Sequence, residues 1–537
     1  MATFKLLQPS TWFPKKAEDK KNQRLSAFNG TGMTSTVMYR HSFDGEKNLG
    51  GIGPIRDYVP NHEALRLRSW QAILDSDIAQ TVVKRFCTWV VGGGLKLQSE
   101  PNPLIFQEES IPLNVQAFSR SVEARFNLFR SAKWADYAGM ETLDAIANTA
   151  FKNAIVGGDV LVILRYENGL VNIQLIDGTH VSSPLFSSDA FPQTLENGNT
   201  IRSGVEMDAR GKHVRYWIRN KNFEYQKVEA SSKESGLQIA FMVYGLKYRL
   251  NTTRGLPLMS AVLESIKKME RYKDATLGSA EERAKIAFTI EHDANSSGDN
   301  PLADALSKAV NPDGQQEDQP YDINGKQLAD TVAATTEKQV FNMPPGGKLM
   351  MHESKTELYF KDFLTVNVQH LCAALEIPVQ VAMSMYEGNF SASRAALKDW
   401  EHTLKVVRKL FADQFYNPVY QFWLDINILK GKISAPGYLM ARKDNDIELL
   451  TAYRTCRWIG ASVPHIDPLK EVEAERLKLG SLGAHLPLTN LEASTEAVSE
   501  SESVSNVSQF ANELEEAKKL GLEAVEVIQP VITKNKD

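Results

Sequence analysis

The residues able to carry chemistry are scattered along this 537-residue chain, and none falls into a catalytic spacing. Gly-Lys pairs stand at Gly211-Lys212, Gly325-Lys326, Gly347-Lys348 and Gly431-Lys432. None continues with Ser or Thr inside a phosphate-loop pattern, so both the backbone cradle for phosphates and the magnesium-binding hydroxyl are missing. There is no G-x-S-x-G elbow to present an activated serine and no H-E-x-x-H zinc motif. His370 beside Cys372 is the nearest approach to a metal-ligand spacing, and ordinary helix packing accounts for it. Gly92-Gly93-Gly94 follows a helical pattern rather than a strand, which is the wrong setting for a dinucleotide fingerprint. Asp177 and Asp208 could act as acid and base, but each sits in a glycine-containing stretch where aspartate caps its own turn. No catalytic residue, metal or cofactor is expected.

Two segments keep two readings each. The charges of 264–285 alternate in sign (Lys267, Lys268, Glu270, Arg271, Asp274, Glu281, Glu282, Arg283). They describe either a solvated helix face with i,i+4 pairs or a set of pairings between neighbouring subunits; the sequence favours the solvated face slightly. The run Met383-Ser384-Met385-Tyr386-Glu387-Gly388-Asn389-Phe390 joins two helical stretches. It is either a buried connector or a mobile loop whose methionines and tyrosine make adaptable contacts with a partner.

These segments need elements to position them. Leu65, Trp70, Ile73, Leu74, Ile78, Val82, Val83 and Phe86 recur at helical steps, ended by the three glycines, with a strand from about Leu95. Helices are expected over about 115–130 and from near Met140 to Ile155. The β-rich run Asp159–Tyr166 is joined to Val171–Ile176 by Asn168-Gly169, a strong hairpin signal. Further strands at Val214–Arg219, Phe223–Val228 and Ile239–Tyr244 make 157–250 a β-rich module between helices. After Pro257 an unbroken helix is expected over 258–287, about 45 Å long at 1.5 Å per residue. A strand at Gln339–Phe341 and a turn at Pro344-Pro345-Gly346-Gly347 precede a helix at Tyr359–Leu375. The loop 379–390 then leads to a long helix, capped by Ser391 or Ser393 and interrupted or kinked at Pro418. After a loop at 431–437 the pattern is helical over 446–480, then Ser- and Glu-rich at 485–508, with a short amphipathic helix at 509–527.

Composition sets the class. Hydrophobic residues are 42% and charged residues 24% of the chain, ordinary for a folded protein with several cores. The formal net charge is -5, with no long basic run, so DNA, if handled, is not held by a uniform electrostatic clamp. Cys87, Cys372 and Cys456 lie far apart and suit reduced, buried thiols in a cytosolic chain. Neither a signal peptide nor a membrane span is expected, so the chain is taken as made in the cytoplasm and soluble.

The stretch Tyr386–Ile433 strongly resembles the lambda-type family of bacteriophage portal proteins. The family's Y-x-G-N-[FY]-S-[SA]-x-R-A-A core, P-V-Y element and W-L are matched by Tyr386, Gly388, Asn389, Phe390, Ser391, Ala392, Arg394, Ala395, Ala396, Pro418, Val419, Tyr420, Trp423 and Leu424, with Trp400 between them. Gly255-Leu256-Pro257-Leu258, Ile466-Asp467-Pro468-Leu469-Lys470-Glu471 and Val90–Gly94 agree in order. Gly157-Gly158-Asp159 departs from the family's usual Asp-Gly-Glu. The likeness covers about 60–480.

The resemblance implies an α+β portal fold with long stem helices, a β-rich clip, a mixed α/β wing and a helical C-terminal crown. Residues 1–60 would be an N-terminal arm, 61–138 the first part of the wing, 139–156 stem helix 1, 157–255 the clip and 256–290 stem helix 2. Residues 291–480 would be wing with a tunnel loop at about 379–392, and 481–537 a crown or flexible acidic tail. It implies a homo-oligomeric ring of twelve subunits at the capsid vertex of the virion, assembled in the bacterial cytoplasm, with double-stranded DNA passing through it without sequence recognition. Its implied partners are the terminase large subunit, a head-tail adaptor and the major capsid or scaffolding protein. Alternatives are another head or connector protein, or a DNA-packaging enzyme.

Overall fold

The computed structural model describes residues 61–183, 192–290, 332–335, 338–342, 360–384 and 390–460, apart from a few single positions, together with Glu473, Phe510 and Ala511. The expected arm at 1–60, the turn at 344–347 and, save for those isolated positions, the segment from 461 onward lie outside the described residues. The chain divides into two compact units, Met1–Leu263 with Ala373–Asp537, and Glu264–Cys372.

The first unit opens with α1 (His62–Asp75) and α2 (Asp77–Val90), the latter burying Val82, Val83, Phe86 and Val90 along one stripe. Strand β1 (Lys96–Ser99), α3 (Pro103–Glu108) and α4 (Val115–Ser131) follow. The side chain of Asn114 caps α4 by accepting from the Ala117 amide at 3.0 Å. Helix α5 (Leu143–Gly157), capped by Thr142, is buried on most of its faces. It packs against a three-stranded antiparallel sheet ordered β3-β2-β9, from β2 (Asp159–Glu167), β3 (Leu170–Asp177) and β9 (Ala240–Tyr244). The first six residues of β2 are buried, which suits a strand covered on both sides. Asn168 and Gly169 both have positive φ, 52° and 79°, and bring Glu167 opposite Leu170, the primed turn expected of Asn-Gly.

The other face of this sheet meets a five-stranded antiparallel meander: β4 (Gln193–Thr194), β5 (Thr200–Arg202), β6 (Val205–Met207), β7 (His213–Arg219) and β8 (Tyr225–Glu229). Leu161, Ile163, Ala240 and Met242 from one sheet share a core with Val205, Tyr216 and Ile218 from the other. The 157–250 module is therefore a layer of the first unit, lying over α5.

One buried ionic cluster ties these layers together. Asp159, at the start of β2 and fully buried, accepts from Arg66 of α1 at 2.5 Å and from the Nε and Nη2 of Arg254, each at 2.7 Å. The Gly255 amide donates to the same carboxylate at 3.0 Å. Arg254 also donates to the carbonyls of Gly178, Val181 and Ser203, and Arg66 to that of Gly157. Bare glycines let the groups meet. Gly158 has φ +94°, and a Cβ on Gly255 would stand 2.0 Å from the Gly158 carbonyl oxygen. Burial would raise the Asp159 pKa, but the Arg254 and Arg66 charges override it and hold the carboxyl at about 2. His62, half-buried beside both guanidiniums, is pushed down to about 3 by burial and then by those charges.

The second unit holds α6 (Leu263–Lys285) and α7 (Phe360–Ala374), each crossing a boundary by a residue or two, and the strands β10 (Ile286–Ile290), β11 (Val332–Thr335) and β12 (Lys338–Asn342). Strand β12 lies between β10, which it pairs in parallel, and β11, which it pairs antiparallel. Tyr272 of α6 packs on Phe360 and Phe363 of α7, with ring centroids 5.9 and 4.3 Å apart. On α6, Lys268 pairs with Glu264 at 3.5 Å and Lys273 with Glu270 at 3.9 Å, long surface pairs that add little.

After α7 the chain returns to the first unit with α8 (Val379–Met383), α9 (Phe390–Phe411), a π-helical turn (Ala412–Tyr416), α10 (Asn417–Leu429), α11 (Tyr438–Asp444), α12 (Ile447–Arg454) and β13 (Cys456–Ile459). Strand β13 pairs antiparallel with β1, Lys96 opposite Ile459.

Several boundaries differ from those expected. The single helix over 258–287 is a 3-10 turn at Leu258–Ala261 followed by α6 of 23 residues, about 35 Å. The β-branched run from Ile286 leaves the helix to pair with β12. The loop at 379–390 contains α8. Helix α9 begins at Phe390, so Ser391 and Ser393 lie inside its first turn instead of capping it. The helix expected from 446 ends at Arg454, because the following residues are the partner of β1.

Replacing Asp159 by Ala leaves two guanidiniums buried without a counter-charge and should cost about 3–5 kcal/mol in urea unfolding. Acid should weaken the first unit in two stages. Between the ordinary histidine value near 6.5 and about 3, the unfolded chain binds a proton at His62 that the folded chain refuses, so stability falls with pH. Below about 4, protonation of Asp159 removes the stability that its depressed value confers. His62→Gln should flatten the upper stage, read as the urea midpoint against pH.

Candidate functional site

The segment resembling the tunnel loop is held between α8 and α9, and its setting follows from how those helices are pinned. Helix α8 ends at Ser384, whose backbone is left-handed at φ 54°, and the Ser384 hydroxyl accepts from the Arg85 guanidinium of α2. On the far side, Trp400 of α9 is buried edge-on against Phe86 of α2, centroids 5.2 Å apart. One turn from its end, Arg408 is buried and donates to the carbonyls of Val90 and Trp89, at 3.3 and 2.9 Å. Those oxygens belong to the last turn of α2, where carbonyls lack intrahelical partners and a cation is favoured by the helix dipole. Phe411 then packs on Phe151 of α5 at 5.0 Å and stacks on Phe415 at 5.4 Å.

The π turn directs three side chains to three strands. Gln414 accepts from the Tyr244 amide of β9 at 2.8 Å, and the Tyr416 hydroxyl accepts from the Leu95 amide, just before β1, at 3.2 Å. Asn417, the first residue of α10, accepts from the indole N–H of Trp458 in β13 at 2.7 Å. Pro418 sits in the first turn of α10, where its missing N–H costs nothing. The extra residue of the π turn and this proline together form the break expected at 418.

Of the sequence-singled residues, Met383 is exposed and Ser384 ends α8. Met385, Tyr386, Glu387, Gly388 and Asn389 lie outside the described residues. Phe390, Ser391 and Arg394 fall in the first turns of α9. Trp400, Tyr420 and Trp423 are core residues, Trp423 facing Phe126 at 5.1 Å and Tyr420 facing it at 5.9 Å. The most specific block of the sequence thus includes the aromatic core that fixes α9 and α10.

No acid–base or metal constellation forms among the described residues. Asp177 accepts from the Thr179 amide and Asp208 from those of Arg210 and Lys212, the self-capping turns expected of them. Burial pushes the thiols of Cys87 and Cys372 up to about 11 and that of Cys456 up to about 12, which makes all three poor nucleophiles. No helix among the described residues is long and apolar enough to cross a membrane.

Sequence reasoning missed the buried charges. Asp159 passed only as part of a motif, and Arg66, Arg254, Arg408 and Asp425 were not singled out. The available signal was a lone charge inside an apolar run, as in Trp423-Leu424-Asp425-Ile426.

A sequence profile of the lambda family of phage portal proteins matches residues 49–408, from before α1 through most of α9. The chain belongs to that family. Among the relatives is a probable portal protein of Halomonas phage phiHAP-1, 22% identical over 469 residues, which span 84% of this chain and 80% of that protein. The portal protein of Escherichia phage N15 is 23% identical over 441 residues, 77% and 78% of the two chains. Portal protein B of Escherichia phage lambda is 22% identical over 478 residues, 82% and 84%. The family match ends at Arg408, the side chain that locks α9 to α2.

Truncating Trp400 to Ala should destabilise the first unit of this portal-family chain by about 3–5 kcal/mol in urea unfolding, through the cavity it leaves against Phe86. Arg408→Met should speed amide exchange at the end of α2 while leaving exchange in β7 unchanged.

Proposed function

We propose that this chain is one subunit of the portal ring at a single vertex of a phage capsid, through which double-stranded DNA enters during packaging and leaves on ejection. Family membership over residues 49–408 carries the reading. The ring is a closed homo-oligomer of twelve copies, assembled in the host cytoplasm and retained in the virion. A closed ring needs head-to-tail interfaces, and the exposed Leu67 and Leu74 on α1, with Leu128 on α4, are apolar surface suited to one. Its partners are the terminase large subunit, then the head-tail adaptor, with the major capsid or scaffolding protein around it. The role is mechanical and structural, without an enzymatic step.

The loop about 379–392 is assigned to the narrowest part of the channel. Sliding DNA must not be gripped, because each neutralised phosphate adds salt-dependent attachment. A loop of Met383, Ser384, Met385, Tyr386, Glu387, Gly388, Asn389 and Phe390 offers apolar and weakly polar contact and no lysine or arginine.

For stem and clip we assign Glu264–Cys372 in preference to 139–156, 157–255 and 256–290. Two considerations support the change. Helix α5 has most of its faces buried, and the β2-β3-β9 sheet of 157–255 packs against it within the first unit. Residues 264–372 form a compact unit of their own, entered by α6 and left by α7.

Electron microscopy of the purified chain should show rings with a central hole; a persistent monomer under all assembly conditions would end this reading. Replacing Tyr386–Phe390 by a Gly/Ser loop should leave rings intact while lowering DNA packaged per capsid, measured by nuclease protection. Full packaging would remove the loop from the channel.

A further inference from the structure

A second buried carboxylate lies on the opposite side of α10 from the aromatic core, and its setting differs from that of Asp159. Asp425 is fully buried and accepts from Arg442 of α11 at 3.0 Å and from Arg454 of α12 at 2.7 Å. The Tyr438 hydroxyl donates to the same carboxylate and accepts from the Arg454 Nε at 2.9 Å. Burial first, and the Asp425 charge next, push the Tyr438 phenol upward, so it stays neutral. The cluster thus holds two guanidiniums and one carboxylate, a net charge of plus one.

Around Asp159 the donors of Arg254 that do not reach the carboxylate all end on carbonyls. Here the arginines open onto a cavity of about 310 Å³, lined also by Gln421, Phe422 and Leu450 and by the loop Ser235–Gln238. Arg442 and Arg454 keep 19% and 22% of their side-chain surface exposed, so solvent or a ligand reaches them. Arg442 spends its Nη2 on the Ser235 carbonyl, at 2.7 Å. Among the described residues neither its Nε nor the Nη1 of Arg454 has an acceptor.

A concave site with two spare guanidinium donors and one uncompensated charge fits a single carboxylate, which those donors would bind by charge-assisted hydrogen bonds. The Asp425 carboxylate behind them disfavours a polyanion, and a duplex presents its phosphates on a convex surface that does not enter such a cavity. The chain itself supplies the complementary group. After Arg454 and β13 it continues to Asp537, and between Lys478 and Lys518 it carries Glu492, Glu496, Glu500, Glu502, Glu513, Glu515 and Glu516 with no lysine or arginine. About thirty residues separate β13 from the first of these, a tether whose extended limit is about 100 Å at roughly 3.3 Å per residue.

We propose that the Arg442–Arg454 cavity is a docking site for one glutamate of the acidic segment Glu492–Glu502 of the same chain. The inference stands apart from the portal reading, since it uses only the cavity and the charge of the segment.

The test uses the full chain in its assembled form. A benzophenone amino acid is placed at Gln421, an exposed residue on the cavity rim, and the photo-adducts are mapped by mass spectrometry. Adducts are expected within 481–517. They should fall about tenfold when Glu492, Glu496, Glu500 and Glu502 are all changed to Gln, which alters no residue of the cavity. They should also fall when salt is raised from about 0.05 M to about 0.5 M. Arg442→Gln should reduce them in parallel, with circular dichroism reporting that the fold persists. Absence of adducts, adducts that join two chains, adducts mapped to another segment or to DNA, or adducts unchanged by the Gln substitutions would each overturn the proposal.

Discussion

The fold of the first unit turns on one carboxylate. Asp159 is the point where α1, β2 and the approach to α6 converge, and each sends a cation or an amide to it. A buried aspartate with two arginines is expensive to desolvate and is not a stabilising device by default. It is tolerable here because nearly every donor of Arg254 has an acceptor, three of them carbonyls at the ends of the sheet strands. The cluster specifies as much as it stabilises, since only one relative placement of α1 and the two sheets satisfies all those carbonyls together. That placement delivers α2 and α5 as a rigid floor on which α9 lies.

On that floor the loop-bearing helices have little freedom. Trp400 and Arg408 fix α9 along α2, and the π turn then commits Gln414, Tyr416 and Asn417 to three separate strands. π turns accompany functional sites because they rotate the next side chains without ending the helix. Here the π turn interrupts the α-helix without ending it, and the aromatic cluster of Phe126, Tyr420, Trp423 and Trp458 packs around α10. The two helices that flank 385–389 are thereby both held by the second half of α2, at Arg85 and at the carbonyls of Trp89 and Val90.

Much of this was legible in the residues. Asn168-Gly169 gave its hairpin, and the periodicity of 65–86 gave helix, read as one run where the structure has two, α1 and α2, divided at Ser76. What could not be read was partnership over distance. Asp159 looks like a strand residue after two glycines, and nothing nearby names Arg66 or Arg254 as its partners. Strand β13 reads as the end of a helix because its four residues become a strand only when β1 is beside them. The split of the 258–287 helix has the same origin, as the run from Ile286 answers to β12. In the module at 157–250 the short strands β4, β5 and β6 were not read, and whether a β-rich stretch stands alone or lies over a helix is decided by its second face, which a sequence pattern of buried residues does not assign.

The pairing of β1 with β13 also sets an order of events during synthesis. The strand at 96–99 leaves the ribosome early and waits, its edge unpaired, until 456–459 emerge. Long-range pairings of this kind carry high contact order and fold late. Meanwhile Glu264–Cys372, whose contacts are largely its own, is free to fold first while still tethered at both ends. An exposed strand edge invites a neighbouring nascent chain, so chains translated in crowded succession are at greatest risk of cross-pairing during this interval. Slower translation of the last hundred codons would lengthen that exposure, whereas early capture of the edge by a chaperone would shorten it.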